Sequence, residues 1–132
     1  MEVLLSIISD KFSHLLEFWR SPEAKTGDLF YGDDRSRGLD LGGLLVIVDW
    51  DKKQVKKEIP TRTPSGFDYD THFLYVALGK GEVGIFSHHF NLDRTLSHSY
   101  FNDIHAINKT SQGLLVASTG LDAIIEFDNR GS

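Results

Sequence analysis

The most suggestive polar group in the sequence is an asparagine and an aspartate followed two residues later by a histidine: Asn102, Asp103 and His105. Side chains alternate along a strand, so Asp103 and His105 would share one face of a strand that begins at residue 103. Asn102 and Asp103 offer the oxygen ligands that Ca²⁺ takes, whereas His105 beside a carboxylate can act as a general base. The structural alternative is that Asp103 caps a turn and His105 hydrogen-bonds within the sheet.

Two further polar groups are candidates for a binding surface. Asp68 and Asp70 flank Tyr69, and both carboxylates would lie on one face because the segment alternates. Like charges on one face are costly unless they are solvated, paired or bound to a cation, so exposure at a loop and a cation site both stay open. Arg35 and Arg37 lie in a run of mixed charge, which predicts either a solvated, salt-bridged loop or a loop that binds a ligand.

The sequence contains none of the short motifs that identify common catalytic classes. It has no G-x-S-x-G, no Gly-rich phosphate loop and no H-E-x-x-H. His88 and His89 are adjacent and would point to opposite faces of a strand, so together with His98 they favour structural or solvated roles over a metal site. His105 is therefore the candidate catalytic residue.

Short apolar segments that recur along the chain must position these groups. Leu74–Ala77 followed by Gly84–Phe86 resembles Leu114–Ala117 followed by Ile124–Glu126 at a single offset. A period of roughly 40–45 residues made of short apolar strands is typical of a β-propeller array. The repeat therefore predicts an all-β fold.

Most apolar segments are short and end at Gly, Asp, Asn or Ser, as strands do. We predict strands at about residues 2–9, 13–19, 28–32, 43–50, 54–60, 65–70, 73–79, 82–88, 93–98, 103–108, 113–119 and 122–128. Residues 7–19 also have apolar positions three and four apart, which would suit an amphipathic helix. The similarity of Leu15–Phe18 to Ile124–Phe127 favours the strand. Residues 20–42 fit the repeat poorly and predict an irregular excursion.

The composition limits the class of protein. A chain of 132 residues fits a single domain over residues 1–132. A net charge of −5 without a basic arm argues against a nucleic-acid partner. The absence of cysteine excludes disulfides and thiolate chemistry and fits a reducing compartment, so we expect a cytoplasmic protein. The apolar N-terminal segment is too short to span a bilayer, and no membrane partner is expected.

The last third of the chain carries the most specific pattern. It reads Asn102-Asp103-Ile104, then GLLVASTG over residues 113–120, then AIIEFD over residues 123–128. This order resembles a blade of the NHL-type propellers and of the gluconolactonase-like, strictosidine-synthase-like superfamily. The resemblance implies a propeller fold. From the lactonase branch it also implies a divalent cation, usually calcium, with Asn102 and Asp103 as ligands.

About three blades fit within the chain, whereas closed propellers have about four to eight blades of four strands. Exposed apolar blade faces and unpaired strand edges would be hidden most economically by a homo-oligomer that completes the ring. We therefore expect a partial propeller, completed by oligomerisation, that serves as a binding or interaction module. A metal-dependent hydrolase of the lactonase type is the alternative, with Asn102 and Asp103 as cation ligands and His105 as the proton-transfer group.

Overall fold

The computed structural model describes residues 1–20, 42–79 and 81–128. These residues fall into two compact units, Met1–Pro64 and Ser65–Ser132. The prediction of one domain over residues 1–132 stays a prediction. The irregular stretch predicted at 20–42 lies almost wholly outside the described residues, as do the predicted strand at 28–32 and both predicted loop arginines, Arg35 and Arg37.

The first unit is built on a three-stranded antiparallel sheet with the order β1-β2-β3. Its elements are β1 (Glu2–Ile7), α1 (Phe12–Arg20), β2 (Leu44–Asp49) and β3 (Gln54–Pro60). The central strand carries the apolar run of this unit, and Leu45 and Val46 are buried within it. Asp49 ends β2 and its carboxylate accepts a hydrogen bond from the Lys52 amide, which closes the turn into β3.

The strand predicted at residues 13–19 is wrong, because these residues form helix α1. The apolar positions three and four apart match the helical period, and this periodicity outweighs a four-residue similarity to residues 124–127. Arg20 lies in the last turn, where a positive charge interacts favourably with the helix dipole. No helix in the described part of the chain is both long and apolar enough to cross a membrane.

The second unit contains two antiparallel sheets that follow one another along the chain. The first has the order β4-β5-β6-β7 and the second has the order β8-β9-β10. The strands are β4 (Pro64–Tyr69), β5 (Phe73–Leu78), β6 (Glu82–Ser87), β7 (Leu92–Ser97), β8 (Ile104–Lys109), β9 (Gly113–Ser118) and β10 (Ala123–Asp128). A 3-10 turn over Thr119–Leu121 links the last two strands.

One face of each sheet supplies the hydrophobic core of the second unit. The buried members of this core come from both sheets and from the segment that joins them: Tyr75, Ala77, Val83, Ile85, Phe101, Ile104, Ile107, Leu114, Val116 and Phe127. The rings of Phe101 and Phe127 meet edge to face with their centroids 5.1 Å apart. The burial of this shared face holds the two sheets together.

The fold class is all-β, as predicted, with three antiparallel sheets. Ten of the predicted strands are confirmed, with ends that shift by a residue or two. The radial arrangement of a propeller and the completion of a ring by other copies stay predictions.

Candidate functional site

The predicted Asp103–His105 pair lies where the chain enters β8. Asp103 has a left-handed backbone with φ of 52° and turns the chain into the strand. The β8–β9 pairing then steps from Ile104 opposite Ser118 to Ala106 opposite Ala117, so His105 occupies a β-bulge. The His105 Nε2 atom lies 3.1 Å from the Asp103 Oδ1 atom. The turn and the bulge, rather than strand alternation, bring the two side chains together.

The other contacts of Asn102 and Asp103 are made with the β9–β10 connection. The Thr119 hydroxyl donates to Asp103 Oδ2 at 3.2 Å. The Gly120 amide donates to the Asn102 carbonyl at 3.0 Å, and the Asn102 amide donates to the Ser118 hydroxyl at 2.9 Å. These contacts fasten the entry of β8 to the end of β9.

Calcium ligation by Asn102 and Asp103 would need further oxygen atoms around them. Ca²⁺ takes about six to eight oxygens. In the described ranges no group of three or more His, Asp or Glu side chains is placed to hold a metal ion. The assignment of Asn102 and Asp103 as metal ligands and of His105 as a catalytic group stays a prediction.

Asp68 is half-buried and joins the two sheets of the second unit. Its Oδ2 atom accepts hydrogen bonds from the Lys109 amide at 2.6 Å and from the Asn108 side chain at 3.3 Å. Further along the same pair of strands, the Ser65 hydroxyl donates to the Ile104 carbonyl at 3.2 Å. These contacts place β4 against β8.

Gly66 lies between these contacts and permits the close approach of the two strands. A Cβ atom at this position would fall 2.2 Å from the His105 carbonyl oxygen, so no side chain fits there. β4 therefore shields the outer edge of β8, which belongs to the other sheet.

Asp70 has different partners from Asp68, so the two carboxylates have separate roles. Its Oδ1 atom accepts hydrogen bonds from the amides of His72 at 2.7 Å and Phe73 at 2.8 Å. Its Oδ2 atom accepts a hydrogen bond of 2.8 Å from the Tyr75 hydroxyl. Asp70 thus closes the β4–β5 turn and holds the Tyr75 ring in place.

Burial and hydrogen bonding shift the pKa of Asp70 in opposite directions, whereas they shift the pKa of Tyr75 in the same direction. Burial by itself would raise the pKa of Asp70, but the two amides, the Tyr75 hydroxyl and the nearby Lys109 charge hold its pKa below the ordinary value. Burial, together with the hydrogen bond to Asp70 and its charge, raises the pKa of Tyr75 to about 12. At neutral pH the pair therefore consists of a carboxylate and a protonated phenol.

Tyr75 begins a row of side chains that crosses the first sheet of this unit. Tyr75 is paired with Ile85 on β6, and Ile85 is paired with Arg94 on β7. Directly paired residues project from the same face of a sheet. Tyr75, Ile85 and Arg94 therefore stand side by side on the face that forms the core.

A second row crosses the other sheet. Lys109 on β8 is paired with Leu114 on β9, and Leu114 is paired with Phe127 on β10. The two rows line a cavity of about 220 Å³, and Leu96 and Asp128 also contribute to its wall. The cavity combines two cations and a carboxylate with apolar walls.

Sequence reasoning did not identify Tyr75, Arg94 or Lys109 as members of a site. Each of the three belongs to a different strand, and only the register of the strands brings them to one cavity. The sequence offers one weak signal, a tyrosine inside the apolar run of β5. A buried phenol needs a hydrogen-bond partner, which is a reason to look for an acid nearby.

The edge of β10 is the second notable feature of this unit. β8 is contacted by β4 through Ser65 and Asp68, whereas among the described residues no strand pairs with the outer edge of β10. Ile124 on this strand is 76% exposed, and Leu121 just before it is 47% exposed. An open edge with apolar side chains is a template for the addition of another strand.

Comparison with family models, with curated proteins and with solved structures gives no match for this chain.

Proposed function

We propose that this protein is a binding and interaction module in which a second copy of the chain supplies a fourth strand to the sheet β8-β9-β10. The observation that supports it is that no strand of the described part of the chain pairs with the outer edge of β10, on which Ile124 is exposed. The preceding sheet, β4-β5-β6-β7, has four strands in simple up-and-down order, which is the pattern of a propeller blade. In the proposal, the sheet β8-β9-β10 is a blade of the same kind that lacks one strand.

The choice of a second copy as the partner rests on the sheets of the chain itself. Among the described residues, the sheet β1-β2-β3 of the first unit also has three strands, so two of the described sheets have one strand fewer than β4-β5-β6-β7. When edges of two different sheets pair between copies, the contact is heterologous and closes into a ring if the rotation permits. The resemblance of residues 102–128 to NHL-type and lactonase-type blades fits this reading. With no cysteine in the sequence, the proposal also places the protein in the cytoplasm.

The proposal is tested by measuring the native mass over a range of concentrations by light scattering and sedimentation velocity. We expect the wild-type protein to have a mass that is a multiple of 14.9 kDa. We expect Ile124→Lys to give a monomer, because a lysine on an edge strand opposes the addition of another strand. Ile124 is largely exposed, so the fold of the monomer should be retained.

Leu92→Lys is the matched control. Leu92 is 53% exposed and lies on β7, the outer strand of the four-stranded sheet. The same apolar-to-lysine change at this edge should leave the native mass unchanged. A wild-type monomer at all concentrations, or an Ile124→Lys variant that assembles like the wild type, would contradict the proposal.

Hydrolysis of a lactone or ester is the second candidate function. The observation that favours it is the 3.1 Å contact between His105 and Asp103, in which a carboxylate orients an imidazole. Both side chains are accessible, at 41% and 27% exposure. In this candidate His105 takes the proton from an attacking water and Asp103 holds the imidazole in position.

A further inference from the structure

We propose that the strand added to β10 is β1 of the next copy, so that successive copies are joined β10 to β1. This inference rests on the assembly proposed above and names the partner strand, which that proposal leaves open. The contact joins two different edges, so it is heterologous, and a copy that uses one of its two edges still has the other available.

Six strands end the sheets of the described part of the chain, and they differ in how open their outer edges are. β4 and β8 contact each other through Ser65 and Asp68, which leaves the outer edges of β1, β3, β7 and β10. Proteins protect an open edge against the addition of a strand with charged side chains, with proline or with a β-bulge. The four strands are compared below for these three features.

β3 carries all three protective features. Its register against β2 shifts between Ile47 and Val48, which makes Lys56 the extra residue of a β-bulge. A second lysine, Lys57, follows in the strand, and Pro60 ends it. β3 is therefore a poor template for another strand.

β7 is protected in a similar way. Its register against β6 shifts between Ile85 and Phe86, which makes Asp93 the extra residue of another bulge. Arg94 follows Asp93 in the strand. β3 and β7 thus each carry a charged residue at a bulge, and both edges oppose strand addition.

β1 is an open and regular edge. All six of its residues pair with β2 without a shift of register. The segment from Val3 to Ser9 contains no charged residue and no proline. Leu5 is 40% exposed and Ile7 is 38% exposed, so apolar side chains are accessible along this strand. β1 therefore has the properties of a strand that pairs with another chain.

β10 matches β1 in length and regularity. Its six residues pair with β9 without a shift. Leu5 and Ile7 share one face of β1, and Ile124 lies on the face of β10 that points away from buried Phe127. If the two strands pair antiparallel, as the described sheets do, Ile124 can lie opposite Leu5 or Ile7 and form an apolar cross-strand pair.

The acids of β10 favour β1 as the partner over a second β10. β10 contains Glu126 and Asp128, and antiparallel pairing of two β10 strands would bring these acids of two copies together. β1 contains one acid, Glu2, at its start, and this acid is paired with Lys56. With Leu5 opposite Ile124, Glu126 would face the apolar Val3 instead of another acid.

The first test blocks the β1 edge. Leu5→Lys should lower the native mass to 14.9 kDa in sedimentation velocity, because a lysine on an edge strand opposes strand addition. Val55→Lys is the matched control, since Val55 is an exposed apolar residue on the protected strand β3 and its change should leave the native mass unchanged. Circular dichroism shows whether each variant is folded, and Ile7→Lys is a second variant of the same edge.

The second test mixes two variants that are each monomeric alone. Leu5→Lys keeps an open β10 edge, and Ile124→Lys keeps an open β1 edge. Their equimolar mixture should therefore form a 1:1 dimer with twice the mass of 14.9 kDa, and it should form no larger particle. Neither variant alone should form this dimer at the same total concentration.

Two results would overturn the assignment of β1 while the assembly proposal stands. They are an assembled wild type whose folded Leu5→Lys and Ile7→Lys variants keep the wild-type mass, and a mixture that stays monomeric at the highest concentration. A wild type that is monomeric at all concentrations would overturn both proposals, so the two failures are distinguishable.

Discussion

The hydrogen bond between Tyr75 and Asp70 can be removed by a single substitution, Tyr75→Phe. The ring of Tyr75 is 9% exposed and its hydroxyl donates to the carboxylate at 2.8 Å. A hydrogen bond to a charged group contributes about 1.5–3 kcal/mol. Asp70 keeps its two backbone donors and is only half-buried, which places the expected loss near the lower limit, about 1.5 kcal/mol.

The loss is measured by urea and thermal unfolding at pH 7, followed by circular dichroism. For a chain of this size we expect the melting temperature to fall by roughly 4–8 °C. Tyr69→Phe is the matched control, because Tyr69 is 72% exposed and the same hydroxyl is removed from the surface. The control should change the free energy of unfolding by less than about 0.5 kcal/mol.

The pH dependence of the free energy of unfolding provides a second check at acid pH, where Asp70 becomes protonated. The folded-state pKa of Asp70 lies below the ordinary value of 3.8, so the contribution of this carboxylate is fully present above pH 3.8. It is lost as the pH falls through the folded pKa. The difference in stability between the wild type and Tyr75→Phe should therefore shrink below pH 3.8.

At alkaline pH the effect runs the other way, because the stability that Tyr75 contributes is lost as the pH rises. Tyr75 has a folded pKa of about 12 against an ordinary value of 10.0, so its contribution is fully present below pH 10.0 and is lost as the pH rises towards 12. The wild type should lose this stability over that interval, and the Tyr75→Phe variant should not. A Tyr75→Phe variant as stable as the wild type at pH 7, with the same pH profile, would refute the reasoning.

Two further substitutions test other parts of the chain. Thr63 is 2% exposed and its hydroxyl has no hydrogen-bond partner among the described residues, so Thr63→Val should leave the free energy of unfolding unchanged or raise it by up to about 1 kcal/mol. A loss above 1 kcal/mol in urea unfolding would show that the hydroxyl is bonded. His105→Ala removes an accessible contact with Asp103, so it should cost less than about 1 kcal/mol. In an assay with a lactone substrate it should abolish hydrolysis if the protein is a hydrolase, and unchanged turnover would exclude His105 from that role.

The contact between Asp103 and His105 shows the limit of reasoning from strand periodicity. The sequence indicated that the two side chains would meet, and they lie 3.1 Å apart. The reason assumed, alternation along a regular strand, is not the one that operates, because Asp103 precedes β8 and His105 lies in a bulge. A bulge depends on how two strands pair, and a single segment carries little information about it.

Helix α1 shows that a short sequence similarity is a weak basis for assigning secondary structure. Its apolar residues are spaced for a helix, and the similarity of four residues to a later strand led to the wrong assignment. The longer periodic pattern was the better guide, because a helical face is defined over several turns whereas four apolar letters suit either structure.

Within the described residues, the sequence by itself determined ten short strands separated by turn residues, and therefore an all-β fold. Local patterns suffice for this because strand and turn preferences act over a few neighbouring residues. Only the tertiary structure decided that Tyr75, Ile85 and Arg94 face Lys109, Leu114 and Phe127 across one cavity. That arrangement depends on the register between strands and on how two sheets pack, and both are set by contacts between residues far apart in the chain.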